Sequence, residues 1–201
     1  MHCKEEYREE TVIKKSRFIA IVKTTRSEEE ARDFIAEIRK EYSDASHVCT
    51  AYCIGDHQRS SDNGEPAGTA GVPILEAIKK SGVEDVTCCM VRYFGGIKLG
   101  AGGLIRAYGG SASDALAHCA KTEDCTVSVY EIRYPYDMQG TLETWLRKNT
   151  TIRDTLYDEA ITVIVETEDD QLTEKVMDLT RGEIKPVFLR NTIVEKDITL
   201  E

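Results

Sequence analysis

Long apolar runs are missing from this 201-residue chain, and with them any segment near the roughly 20 residues a helix needs to cross a bilayer. The start, Met1-His2-Cys3-Lys4-Glu5-Glu6, has no apolar core of a secretory signal. No C-x-x-C pair occurs, and the seven cysteines are odd in number, with Cys88 and Cys89 adjacent in an apolar run. That usage argues against a disulfide framework and for free, buried thiols in a soluble cytoplasmic protein. Positive charge is scarce as well: 26 Lys and Arg face 36 Asp and Glu, for a net charge of −10. Such a balance excludes a broadly basic nucleic-acid binder and a polybasic membrane partner, and leaves a polyanion only a local patch to meet. Common catalytic signatures are absent too. There is no Gly-x-Ser-x-Gly, no His-Glu-x-x-His and no glycine followed by Lys and Ser/Thr, and Ile105 stands where a dinucleotide fingerprint needs its third glycine.

What is present reads as an α+β chain with two domains, 1–124 and 125–201. Strands are expected over 11–14 and 18–24, the second apolar on both faces. Ser27 with Glu30 forms a capping box before the stripe Ala31, Phe34, Ile35 and Ile38, which predicts a helix over 28–41. A strand over 47–54 is followed by a polar loop over 55–69, and Pro73 opens a short helix. The almost unbroken apolar run over 86–94 predicts a central strand. A glycine-rich loop follows, and then a helix over 104–121. From 127 the order is strand (127–134), helix from Asp137, strands over 152–157 and 161–165, helix over 169–181 and strand over 185–190. This βαββαβ order is that of a ferredoxin-like domain.

Charge is divided unevenly. Residues 1–125 hold 17 basic and 20 acidic side chains, net −3, and residues 126–201 hold 9 and 16, net −7. Between Val86 and Ser113 there is no acid at all, while Arg92, Lys98 and Arg106 are present. That stretch contains Gly95, Gly96, Gly100, Gly102 and Gly103 ahead of a helix start. Glycines let successive N–H groups turn inward, and the helix dipole adds positive potential, so a phosphate or a nucleic-acid backbone is a chemically suitable guest. The same glycines equally suit tight turns and close packing. Tyr93 and Phe94 are placed either to stack on bases or to fill the core at a strand end. A second loop, Ser61-Asp62-Asn63-Gly64-Glu65-Pro66-Ala67-Gly68-Thr69-Ala70-Gly71, offers Asp62 and Glu65 as acid and base, or a plain Asx turn at Asn63-Gly64. His47, Cys49 and Cys53 share one face of their strand, with His57 nearby, but this is not a structural-zinc spacing. No metal site and no cofactor are expected.

The residues Ser16-Arg17-Phe18, His47 with Tyr52, the run through Ser61, Asp62, Gly64, Glu65, Pro66, Gly68, Thr69, Gly71 and Pro73, and Arg92-Tyr93-Phe94-Gly95-Gly96-Ile97-Lys98-Leu99-Gly100 to Arg106-Ala107-Tyr108 resemble the YigZ/IMPACT family. The resemblance implies an N-terminal domain of the ribosomal-protein type, like domain four of elongation factor G, and a ferredoxin-like module like its domain five. It implies a role in regulating translation, through ribosome, RNA or a translation factor. Asn63 departs from the family, which usually has an Asp there, and this weakens a two-carboxylate metal site. Three functional readings follow. The first is a non-enzymatic translation-associated protein whose anion site is Arg92, Tyr93, Lys98, Arg106 and the glycines. The second is an enzyme on a small phosphorylated or peptide-like substrate using His47, Asp62 and Glu65. The third is a protein–protein adaptor that docks through the acidic C-terminal module.

Overall fold

The computed structural model of the chain describes residues 1–198. They form two compact units, one of residues 1–123 with 197–198 and the other of residues 124–196. In the first unit five antiparallel strands make one sheet: β2 (Tyr7–Ile13), β3 (Ser16–Thr24), β4 (His47–Ile54), β5 (His57–Ser61) and β6 (Val86–Tyr93), in the order β2-β3-β6-β4-β5. A two-residue strand, β1 (His2–Cys3), pairs with Thr122 and Lys121 at the start of β7 (Lys121–Tyr134).

Alternation along the strands explains the apolar run in β6, which is central. Phe18, Ala20, Val22, Cys49, Ala51, Cys88 and Met90 face the layer made by α2 (Gly71–Ser81) and α3 (Ala101–His118). Ile19, Ile21, Val48, Cys89 and Val91 face α1 (Glu28–Glu41) instead. A strand between two helical layers has no polar face to show, and the adjacent pair Cys88 and Cys89 simply points to opposite cores. The α1 helix begins where its cap requires: the Glu30 N–H donates to the Ser27 hydroxyl at 3.1 Å, and the Glu30 carboxylate accepts from the Arg26 N–H at 2.8 Å. Its buried stripe is Ala31, Phe34 and Ile38.

Several expected boundaries move. The expected loop over 55–69 contains the edge strand β5; its sequence His-Gln-Arg-Ser-Ser lies half-exposed or exposed throughout, so no apolar alternation marked it. The α2 helix starts two residues before Pro73. The α3 helix starts at Ala101, so Gly102 and Gly103 belong to its first turn and the true loop is residues 94–100. Glycine is a poor helix former and hid that start, yet it is tolerated there because first-turn N–H groups have no intrahelical partner. The same helix ends at His118, three residues early, and β7 then runs unbroken through 123–125, where a fresh strand had been expected only from 127.

The second unit continues with α4 (Gln139–Asn149), β8 (Thr151–Tyr157), β9 (Ile161–Thr167), α5 (Leu172–Leu179) and β10 (Val187–Asp197), and its strands lie in the order β10-β7-β9-β8. Its core joins Ile132, Tyr134, Ile161, Val163 and Val165 of the central strands to Leu142, Leu146, Leu172 and Val176 of the two helices. The last strand is longer and later than the 185–190 expected, and α5 is shorter than 169–181.

Candidate functional site

The loop after β5 turns at Asn63 and Gly64, both at positive φ (41° and 89°), as an Asn-Gly pair favours. Asp62 then holds the loop shut. One of its carboxylate oxygens accepts from the N–H groups of Ala70 (3.0 Å) and Gly71 (2.7 Å), and the other from that of Gly68 (2.8 Å). Burial works against its charge, but these three donors outweigh it and hold the carboxyl below the ordinary aspartate range. Asp62 is therefore an anchor at the start of α2, with three of its roughly four acceptor positions taken. Gly71 is required by the closeness of the chain: a Cβ there would lie 2.7 Å from the Ser61 nitrogen.

Glu65 goes inward. Its carboxylate accepts from Arg92 Nη1 at 2.5 Å and from the Tyr108 hydroxyl at 2.8 Å, and all three side chains are out of water. The Arg92 guanidinium lies over Phe18 (5.4 Å) and Phe94 (5.5 Å), with Nη2 reaching the Ser16 hydroxyl at 3.4 Å and Nε unpartnered. Tyr108 meets Phe18 edge-on. Its phenol is pushed upward by burial, reinforced by Cys49 and by the Glu65 carboxylate. Cys49 has two acceptors within reach, the Asp62 carbonyl at 2.9 Å and the Tyr108 hydroxyl at 3.5 Å. Burial pushes its thiol up to about 12, so it is no thiolate nucleophile at neutral pH. His47 stands at the margin: Nδ1 is 3.0 Å from the Asn63 carbonyl, so this nitrogen carries a proton and donates, and Nε2 is 4.0 Å from Glu65. His57 lies apart, beside Glu28 of α1.

The two motif loops thus meet, through Glu65, Arg92 and Tyr108, in a packed contact. Ser16 extends it, since its hydroxyl also accepts the Gly95 N–H at 3.2 Å. Gly95 is pressed on the β2–β3 turn so tightly that a Cβ would lie 2.0 Å from the Lys15 carbonyl carbon and oxygen. Tyr93 is engaged elsewhere, donating to Asp44 at 2.9 Å under the Arg17 guanidinium. Gly96 and Gly100 have positive φ (82° and 74°) with open space at the missing Cβ, so backbone conformation is what selects glycine there.

Of the expected cationic residues, Arg92 is consumed by Glu65, whereas Lys98 and Arg106 are exposed with no carboxylate partner among the described residues. Phe94 and Ile97 in the same loop, and Ile105 and Val72 in the groove with Arg106, are exposed apolar side chains. A groove of about 520 Å³ between α2 and α3 includes Gly68, Val72, Pro73, Ile105 and Arg106. Tyr108 is the participant that residue-by-residue reasoning missed. The signal was its place four residues after Leu104 on the buried face of α3, where a phenol needs a polar partner. Among the described residues, no group of three or more His, Cys, Asp or Glu side chains is placed to hold a metal ion.

Residues 14–116 match the family model described as the Impact N-terminal domain. "IMPACT family member YvyE" of Bacillus subtilis is 42% identical over 186 residues, which cover 89% of this chain and 86% of the relative. "IMPACT family member YigZ" of Escherichia coli is 42% identical over 139 residues, 67% of this chain and 68% of the relative. A solved structure titled "Crystal structure of an hypothetical protein" superposes with a TM-score of 0.60 at 32% identity, covering 94% of this chain and 96% of that one.

Proposed function

Because the chain belongs to the IMPACT family, we propose that it is a translation-associated regulatory protein that engages ribosome, RNA or a translation factor through the outer face of its β6–α3 loop. The observation that carries this reading is the pairing state of the cations. In an acid-free stretch of 28 residues, Lys98 and Arg106 are exposed with no carboxylate partner among the described residues, and the same stretch exposes Phe94 and Ile97, which is the chemistry of a phosphate contact with a stacking or apolar surface. Arg92 contributes by gripping Glu65 and so fixing the loop, while the positive-φ glycines let the backbone come close to a ligand. The ferredoxin-like reading of the second unit is supported by its βαββαβ succession with the first and third strands innermost. Likeness to domains four and five of elongation factor G is proposed with it.

Binding is favoured over catalysis because two of the three acid–base candidates are held in structural contacts, Asp62 by three backbone donors and Glu65 by Arg92 and Tyr108. Co-sedimentation with ribosomes at low salt tests the proposal. Wild type is expected in the pellet, leaving it steeply as salt rises, and the Lys98→Ala/Arg106→Ala variant is expected in the supernatant. A wild type that never pellets, or a variant that pellets equally, would overturn it.

A further inference from the structure

On the opposite face of the first sheet, α1 covers β3, β6 and part of β4, and the face beyond it, over β4 and β5, is open. A groove of about 590 Å³ lies there between α1 and the two strands. Three arginines line it, Arg32 and Arg39 from α1 and Arg59 from β5, and no carboxylate does. In a protein of net charge −10 that lining is an inversion of the average surface. Arg32 leans on Glu28 at 3.6 Å, but Arg39 and Arg59 have no carboxylate partner among the described residues.

A second, independent feature lies on the floor. Thr50 lines the groove, and its hydroxyl has no hydrogen-bond partner among the described residues. A hydroxyl that opens on the groove without a protein partner can donate to or accept from a ligand there. The register pairs Thr50 with Ser61 and Tyr52 with Arg59, so a second hydroxyl and a guanidinium flank it. Along the helix side, Ile35 and Ala36 add an apolar strip. The volume falls in the range of small-ligand sites, roughly 300–1,000 Å³. Arg32 and Arg39 arise about 10.5 Å apart along the helix axis, a spacing that a chain of phosphates meets in succession more readily than one small anion does.

We propose that this groove binds a nucleoside diphosphate or triphosphate, with the phosphates on Arg39, Arg59 and Arg32, a polar contact to Thr50, and the base along Ile35 and Ala36. The site is separate from the Lys98/Arg106 face and does not depend on the translation reading. Titration calorimetry with ADP, and with adenosine as the uncharged control, tests it on the full chain. ADP is expected to bind at least tenfold more tightly than adenosine and to weaken as salt rises. Arg39→Ala/Arg59→Ala is expected to lose at least tenfold in affinity and Thr50→Val severalfold, with unchanged circular dichroism. Lys98→Ala/Arg106→Ala is expected to bind ADP as wild type does. Equal or undetectable binding of ADP and adenosine would overturn the proposal. So would wild-type ADP affinity in the double arginine variant, or arginine-dependent binding of a short single-stranded RNA without binding of ADP.

Discussion

In the first unit the ion pair that organises the motif loops is withdrawn from water, with side-chain exposures of 6% for Arg92 and 4% for Glu65. In the second unit Arg153–Glu166, Arg147–Glu143 and Lys175–Asp169 all keep their cationic partner about half exposed or more. The chemistry of the groups is the same; the medium is not. Exposed pairs are screened and contribute little, so they can be exchanged without moving the backbone. A buried pair costs desolvation and is kept only where geometry and extra hydrogen bonds satisfy it, and Tyr108 and Ser16 supply those bonds here. The difference gives the first unit a buried charged contact between its two motif loops, in the same stretch of chain as the exposed Lys98 and Arg106. The second unit carries most of the net negative charge, −7 of −10 over residues 126–201, as replaceable surface.

The sharpest way to break that contrast is to remove one buried partner. Glu65→Gln or Arg92→Met leaves the other charge uncompensated, and a loss of about 3–5 kcal/mol in unfolding free energy is expected by urea denaturation. Combining the two should recover part of that loss, because no unpaired charge then remains. Glu166→Gln in the second unit is expected to leave the urea midpoint nearly where it was. If Glu65→Gln were as mild as Glu166→Gln, the buried pair would not be organising the site.

The parts of this architecture legible in the sequence are those where one local signal has one physical meaning. Helix α1 was readable to the residue because a cap and an apolar stripe agreed, and β6 because an apolar run of that length is a strand buried on both faces. The edge strand β5 was not, since pairing along one side of a sheet leaves no hydrophobic trace when both faces stay wet. In the site, the motif residues were found but their division of labour was not. Asp62 and Glu65 are both loop carboxylates three residues apart, and sequence alone gives them the same chemistry. Only the turn at Asn63-Gly64 sends one to backbone N–H groups and the other to a guanidinium. Arg92 looked like a ligand contact for the same reason: its partner lies 27 residues away, beyond any local pattern.

A smaller effect is expected where the contrast rests on space alone. Gly95→Ala would set a methyl group against the Lys15 carbonyl, so the β6–α3 loop or the β2–β3 turn must give way. A loss of about 1–3 kcal/mol is expected from such overpacking, with weaker binding by Lys98 and Arg106 as the loop shifts. In the second unit Gly140, in the first turn of α4, has nothing within 4 Å of a Cβ, and Gly140→Ala should not lower stability. Thermal denaturation of the two variants side by side reads the difference. Equal transitions would mean that the loop in the first unit is not held against the turn.

The smallest effect separates two aspartates by what holds them. Asp62 and Asp169 both ionise more readily than usual. Asp169 does so chiefly through Lys175, and Asp62 through three backbone donors that overcome its burial. A carboxyl whose pKa is depressed on folding stabilises fully above its unfolded value, ordinarily 3.8 for aspartate, and loses that contribution as pH falls through the lower folded value. Asp62→Ala is therefore expected to cost about 0.5–2 kcal/mol at neutral pH, the usual value of a helix cap. The part of that cost owed to ionisation should be lost as the pH is brought below the folded value, where the wild-type carboxyl is protonated. Salt distinguishes the pair further. The Lys175 contact is exposed and weakens within a Debye length of about 3 Å at 1 M salt, whereas fixed N–H groups keep their grip on Asp62. Urea midpoints of Asp62→Ala and Asp169→Ala at low and high salt should thus show a salt-independent deficit for the first and a fading one for the second. A deficit at Asp62 that faded with salt would make it a surface charge like its counterpart, and would place the loop's anchor elsewhere.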